Sequence, residues 1–119
     1  MAHIRLGEME SRFADLIWKN EPLPSRQLAE LAAKAFDWKR TTTYTVLKRL
    51  CERGLFENDG GTVRALMRRE EFYAMQSEQF VEETFDGSLP AFLAAFGSRK
   101  KLADDDIQQL QKIIDDMRR

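Results

Sequence analysis

Apolar residues recur at the spacing of an α-helix in three stretches of the first half of the chain. The first stretch, 7–19, ends before Pro22, because proline cannot continue a helix interior. The second follows Ser25, whose hydroxyl suits an N-cap, and the third covers residues 41–53. The side chains expected on the inner faces of these helices are Met9, Phe13, Leu16, Ile17, Leu28, Leu31, Ala32, Ala35, Val46, Leu47 and Leu50.

A turn signal follows the third helix. Gly54 fits the left-handed position that often ends a helix. The segment 59–61, Asp-Gly-Gly, separates two short stretches, 55–58 and 62–67, which we predict to pair as a β-hairpin. Three helices followed by a hairpin is the order of a winged helix-turn-helix. The helix-turn-helix is the pair formed by the second and third helices, and the later helix of that pair enters the major groove of DNA. In this chain that helix would be 41–53.

In the second half of the chain, the pattern predicts helices and a linker but no further strand. A stretch over 69–85 is followed by a second apolar helix, for which Ser88 suits the N-cap. Residues 97–101 are expected to form a hinge-like linker, and a last helix is expected from about Ala103.

We therefore predict a mainly α fold with a small β-hairpin, in which a winged helix-turn-helix over 1–69 precedes a helical dimerisation region over 70–119. A region of roughly fifty residues rarely builds a good core alone. Pairing with a second copy would bury its apolar stripes, and operator-binding proteins usually act as two-fold dimers. The alternative is that these stripes pack back onto the first region. The residues expected at the dimer interface are Phe85, Leu89, Phe92, Leu93, Phe96, Ile107, Leu110 and Ile114.

Composition argues against several classes of function. The chain has one histidine and one cysteine, and no zinc cluster, nucleophile–base pair or phosphate loop is visible, so we expect neither an enzyme nor a bound metal or cofactor. Cys51 is expected in the core, because a redox sensor would need an exposed thiolate with a low pKa. No apolar run approaches the ~20 residues of a membrane span, and residues 1–5 lack a secretory signal pattern, so we expect a cytoplasmic protein.

The net charge of −1 hides a division between the two halves. Residues 1–69 hold 13 Lys and Arg against 9 Asp and Glu, whereas residues 70–119 hold 6 against 11. Because the local field, rather than the total charge, attracts a polyanion, this asymmetry favours nucleic-acid binding by the first half. The alternative is a chance segregation of charges on a solvated surface.

The segment 38–54 combines five cationic residues with one acidic residue and a run of threonines. Threonine hydroxyls can bind phosphate oxygens, threonine methyls can contact thymine, and arginine can bind guanine through two hydrogen bonds. The alternative is a solvated basic helix. Arg64 is expected at a phosphate and Arg68 and Arg69 beside the DNA backbone; the alternative for all three is solvated surface. The predicted DNA contacts are Arg40, Thr41, Thr42, Thr45, Lys48, Arg49 and, on the hairpin, Arg64.

Three segments resemble the penicillinase-repressor family, which includes the methicillin-resistance and copper-responsive repressors. They are 6–10 (Leu-Gly-Glu-Met-Glu) with Ile17 and Trp18 downstream, 42–50 (Thr-Thr-Tyr-Thr-Val-Leu-Lys-Arg-Leu) followed by Gly54 and Leu55, and 85–89 (Phe-Asp-Gly-Ser-Leu). The resemblance covers nearly the whole chain. It implies a homodimer that binds a two-fold operator in double-stranded DNA and blocks transcription. By position, Thr42, Thr45 and Arg49 match the recognition-helix pattern, with Thr41 as a further polar contact.

The chain also departs from the family. On the hairpin Gly61 is kept, but Thr62 stands where the family often has arginine and Leu66 where it has tyrosine. Some members are inactivated at an Asn-Phe bond, for which this chain has Ala95 and Phe96, so a sensor peptidase is a further candidate partner. The C-terminal cysteines of the copper-responsive members are absent, which argues against copper sensing by that route. A competing interpretation, a winged helix that contacts protein and not DNA, would predict an apolar or acidic outer face on the third helix.

Overall fold

The computed structural model describes residues 5–119, over which six helices and a small antiparallel sheet form the predicted mainly α fold. Residues 1–4, on which the expectations about the N-terminal segment and the start of the first domain partly rest, lie outside the described residues. The elements in chain order are α1 (Glu8–Asn20), β1 (Leu23–Pro24), α2 (Ser25–Phe36), α3 (Arg40–Glu52), β2 (Phe56–Asp59), β3 (Thr62–Ala65), α4 (Arg69–Phe85), α5 (Leu89–Arg99) and α6 (Asp104–Met117).

The sheet contains one strand that the sequence pattern does not predict. β1 pairs antiparallel with β3, so that Leu23 lies opposite Val63 and Pro24 opposite Thr62. β3 also pairs with β2 in the predicted hairpin, here called the wing, which gives the strand order β1-β3-β2. A proline is tolerated in β1 because this strand lies at the edge of the sheet. Since Leu23 is buried, β1 ties the connection between α1 and α2 to the wing.

The chain divides into two compact units, one ending at Ser77 and one running from Glu78 to Arg119, with the division inside α4. The first unit has a core to which α1, α2, α3, the sheet and the start of α4 all contribute. Burial of this apolar surface is the main term that stabilises the unit. Its largest fully buried side chains are Phe13, Phe56, Phe72, Ile17, Leu28, Leu50, Leu55, Val63 and Thr43.

Two residues predicted on inner helix faces are exposed. Met9 and Ala35 each lie one residue from the end of their helix, where the helix extends past the core. Ala14 and Ala29 are buried, although they were not among the residues predicted on the inner faces. They are buried because the inner faces of α1 and α2 are wider than the stripe of large side chains.

Two predicted boundaries are also wrong. Ser25 is the first residue of α2 rather than its N-cap, and its backbone N–H donates to the carbonyl oxygen of Gly61 at 2.7 Å. Residues 97–99 belong to α5 rather than to a linker. The hydroxyl of Ser98 donates to the carbonyl of Ala95 at 2.7 Å, so this polar side chain is satisfied inside the helix.

Two predicted helix ends are confirmed. Gly54 follows α3 with a φ of +86°, a left-handed conformation that a side chain would strain. Ser88 caps α5, and its hydroxyl accepts a hydrogen bond from the backbone N–H of Ala91 at 3.1 Å.

The second unit has a small aromatic cluster and much exposed apolar surface. Phe80, Phe85, Phe92 and Phe96 place neighbouring ring centroids 5.7 to 6.3 Å apart. Neither α5 nor α6 has a buried residue. Within residues 5–119, every helix falls short of the length and hydropathy that a membrane span requires. The exposed large apolar side chains of this unit are Phe80, Leu89, Phe96, Ile107, Ile113, Ile114 and Met117.

Candidate nucleic-acid interface

α3 presents a buried face and a polar face. Thr43, Val46, Leu47 and Leu50 are buried and fix the rotation of the helix against the rest of the unit. The polar side chains between them are consequently turned outward, as the apolar pattern predicts. The exposed residues of α3 that were predicted to contact DNA are Arg40, Thr41, Thr42, Thr45, Lys48 and Arg49.

The threonines of α3 have different surroundings. Thr43 is fully buried and its hydroxyl donates to the carbonyl of Lys39 at 3.3 Å. Thr43 is not among the predicted DNA contacts, and its spacing of three and four residues from Val46 and Leu47 is that of the inner face of the helix. The hydroxyl of Thr45 donates to the carbonyl of Thr41 at 2.8 Å. In this conformation Thr45 offers a partner its methyl group and an acceptor oxygen, rather than a hydroxyl proton.

The N-terminus of α3 is suited to an anion. Lys39 is the N-cap and makes no side-chain capping bond, and the first turn contains no acidic residue. The first backbone N–H groups of a helix have no partner within the helix, and the helix dipole makes this end positive. With Arg40 exposed in the same turn, a phosphate would find both N–H donors and a cation there.

Arg49 lies next to a carboxylate from another helix. Its Nη1 is 4.0 Å from Oε2 of Glu10, in the first turn of α1, and Nη1 of Arg53 is 3.8 Å from Oε1 of the same carboxylate. Nη1 of Arg53 also donates to the carbonyl of Arg5 at 2.9 Å. Sequence reasoning did not connect Glu10 with Arg49, because no local periodicity relates residues so far apart in the chain.

The wing carries the other predicted contact, Arg64, which is exposed on β3. Arg64 lies opposite Glu57 in the β2–β3 register, and its Nε is 3.9 Å from the Glu57 carboxylate. The turn is held by a hydrogen bond from the N–H of Gly61 to Oδ1 of Asn58 at 3.1 Å. An ion pair this long and this exposed is weak, so Arg64 can exchange Glu57 for another anion.

Arg69 forms contacts within the first unit. Its Nε donates to Oδ1 of Asp15 at 2.9 Å, and its guanidinium carbon lies 4.7 Å from the centre of the Tyr73 ring. The hydrogen bond and the charge of Asp15 raise the pKa of Arg69. This ion pair joins α4 to α1, although the Arg69 side chain is 54% exposed; Arg68 is exposed as well. Of the two arginines expected beside DNA or on solvated surface, Arg69 therefore has a partner within the fold.

Cys51 lies on the side of α3 that packs against the core, and it is half-buried. Burial, followed by the charges of Glu52 and Glu57, raises the pKa of its thiol. A raised pKa keeps the group as an unreactive thiol, which favours the predicted structural role over redox sensing. Over residues 5–119, no three His, Cys, Asp or Glu side chains lie close enough together to hold a metal ion.

The chain matches one family of known proteins over nearly its whole length. The family model described as penicillinase repressor matches residues 6–116, which is nearly the whole chain and confirms the resemblance stated above. No curated protein matches the chain. Because the family model covers all the elements of the fold except the last residue of α6, the chain belongs to the penicillinase repressor family, whose members are DNA-binding transcriptional regulators and not enzymes.

Proposed function

We propose that this protein represses transcription as a homodimer that binds a two-fold operator, with α3 of each subunit in the major groove. The observation that carries the proposal is the outer face of α3, which is exposed, rich in threonine and cationic, with Glu52 at its far end as the only acidic residue of the helix. A winged helix that binds only protein would be expected to expose an apolar or acidic face there.

The geometry of α3 supports an assignment of the individual contacts. Thr42, Thr45 and Arg49 are spaced by three and four residues, so they share one stripe of the helix. We assign Arg49 to guanine and the methyl of Thr45 to thymine. The remaining residues, which would contact phosphates and orient the helix in the groove, are Arg40, Thr41, Thr42, Lys48 and, from the wing, Arg64.

Dimerisation is assigned to residues 70–119 and DNA binding to 1–69. The support for this division is the apolar surface that α5 and α6 leave exposed in the single chain. On α6, Ile107, Leu110 and Ile114 follow one helical stripe, although only Leu110 is half-buried. Apolar patches of this kind commonly mark protein interfaces. The other side chains assigned to the interface are Phe85, Leu89, Phe92, Leu93 and Phe96.

We further propose that the protein acts in the cytoplasm and that a sensor peptidase is a candidate second partner. Ala95 and Phe96, at the position of the family's cleaved bond, are exposed but lie within α5. A peptidase that cleaves between them would first have to unwind this helix, because proteases bind extended chains. Co-expression with such a peptidase, followed by mass analysis of the fragments, tests this part of the proposal.

Selection of bound duplexes from a random DNA pool tests the proposed function. We expect an enriched motif made of two inverted half-sites. A variant in which Thr42, Thr45 and Arg49 are all replaced by alanine serves as the control, and it should enrich no motif while keeping its fold. A wild-type protein that enriches no sequence would overturn the proposal.

A further inference from the structure

We infer that Glu10 is a positioning residue for Arg49 and that it sets how strongly this protein prefers its operator over other DNA. The inference rests on the proposed function, because it concerns the arginine assigned to base recognition. It adds a carboxylate from α1 that would contact no base.

The carboxylate of Glu10 is held in place by the start of α1. Its Oε1 accepts a hydrogen bond from the backbone N–H of Gly7 at 3.1 Å, which is the one half of a capping box that an N-cap glycine, with no side chain, allows. The side chain is 19% exposed. Over residues 5–119, Oε2 is a buried side-chain oxygen without a hydrogen-bond partner. A buried carboxylate oxygen is costly unless a cation lies near it, so this atom attracts the guanidinium groups of α3.

The two arginines beside Glu10 differ in how firmly they are held. Arg53 has a second anchor, since its Nη1 also donates to the carbonyl of Arg5. Arg49 approaches only to 4.0 Å, and its side chain is 53% exposed. Glu10 can therefore restrain Arg49 without burying it, which leaves the guanidinium able to reach a base edge.

This arrangement has two opposite effects on DNA binding. A restrained arginine loses less rotamer freedom when it makes a two-bonded contact with guanine, which favours the correct sequence. The negative charge of Glu10 also partly neutralises Arg49 and Arg53, which weakens their attraction to phosphates of any sequence. Both effects increase the ratio of specific to non-specific affinity.

The variant Glu10→Gln separates these effects from capping, because glutamine can still accept the hydrogen bond from Gly7. Binding of the full chain to its selected operator and to a scrambled duplex is measured by fluorescence anisotropy at several salt concentrations. We expect the ratio of specific to non-specific affinity to be about three- to tenfold lower than in the wild type. This is smaller than the loss expected when an arginine–guanine contact is removed altogether. Non-specific affinity should rise and its salt dependence should steepen, because freed arginines contact additional phosphates.

A second variant, Glu10→Asp, keeps the charge and withdraws it by one methylene. It should lower the specificity ratio while leaving non-specific affinity and salt dependence near the wild-type values. If Arg49 carries most of the effect, Glu10→Gln should change the ratio much less in an Arg49→Ala background, where only Arg53 is released, than in an Arg53→Ala background. Equal changes in the two backgrounds would overturn the assignment to Arg49.

A Glu10 that only stabilises α1 would give a different result. The melting temperature would fall, both affinities would change together and their ratio would stay constant, which would overturn the inference. A wild-type protein that selects no DNA sequence would overturn the proposed function as well. A wild-type protein that selects an operator, with Glu10→Gln showing an unchanged ratio, would overturn the inference alone.

Discussion

Replacement of Arg49 by alanine removes the side chain to which we assign base recognition, and the structure allows its effects on folding and binding to be separated. Arg49 is half-exposed and its closest approach to Glu10 is 4.0 Å. An ion pair this long with one exposed partner contributes about 0–1 kcal/mol to stability. Without Arg49, Oε1 of Glu10 keeps Arg53 and the N–H of Gly7 as partners, while the buried Oε2 loses its nearest cation. The free energy of unfolding should therefore fall by less than about 1 kcal/mol.

The expected loss in binding is larger. One arginine–guanine contact is worth about 1–3 kcal/mol, so a dimer with two separate half-sites should lose about 2–6 kcal/mol on its operator if the two losses add. On a scrambled duplex the loss should be smaller, because only the charge of Arg49 is missing there. Base preference at the contacted position of each half-site should relax.

The assay compares anisotropy titrations of wild type and Arg49→Ala on both duplexes, with thermal unfolding as the check on folding. Lys48→Ala is the matched control, since Lys48 is an exposed neighbour on the same helix that we assign to phosphate. It should weaken binding on both duplexes alike and reduce the salt slope by about one for each half-site. Equal losses on operator and scrambled DNA for Arg49→Ala would refute the assignment of base recognition to Arg49.

Three further predictions concern the two units and the thiol. Ile114→Glu should convert the dimer into a monomer in sedimentation, because it places a charge in the exposed stripe of α6; an unchanged dimer would exclude this stripe from the interface. Phe72→Ala should lower the free energy of unfolding by about 3–5 kcal/mol in denaturant titrations, since Phe72 is fully buried in the first unit, and a loss below 1 kcal/mol would contradict its place in the core. Cys51 should be alkylated slowly at pH 8, and faster only as the pH rises toward the raised pKa of its thiol; fast labelling at neutral pH would contradict the raised pKa. Because the thiol of the unfolded chain ionises at lower pH than the folded one, Cys51 should also lower the free energy of unfolding above about pH 8.5.

Much of the fold can be predicted from the sequence, because the helices and the wing are indicated by patterns of residues close together in the chain. The inner face of α3 follows from Val46, Leu47 and Leu50 at helical spacing, and this rotation in turn places Thr42 and Arg49 outside. The wing follows from a glycine pair in the turn between two short apolar stretches. These signals lie within a few residues of one another, so no tertiary information is needed.

Features that depend on distant contacts could not be predicted in this way. β1 has only two residues and contains a proline, so it is a strand only because β3 lies beside it. The pairing of Arg69 with Asp15 depends on how α1 and α4 pack. Gly97 predicted a helix end, but α5 continues through it to Arg99.

The placement of α3 in the major groove can be tested most directly by cleavage of DNA from a label on that helix. Cys51→Ala removes the chain's single cysteine, and Thr41→Cys then gives one attachment site for a DNA-cleaving reagent at the exposed N-terminal turn of α3. On the selected operator we expect two symmetric clusters of cuts, one in each half-site, separated by about 10 base pairs or a multiple of that distance. Cuts that are absent, or that follow no two-fold symmetry while the labelled protein still binds, would contradict the proposal that α3 reads the operator.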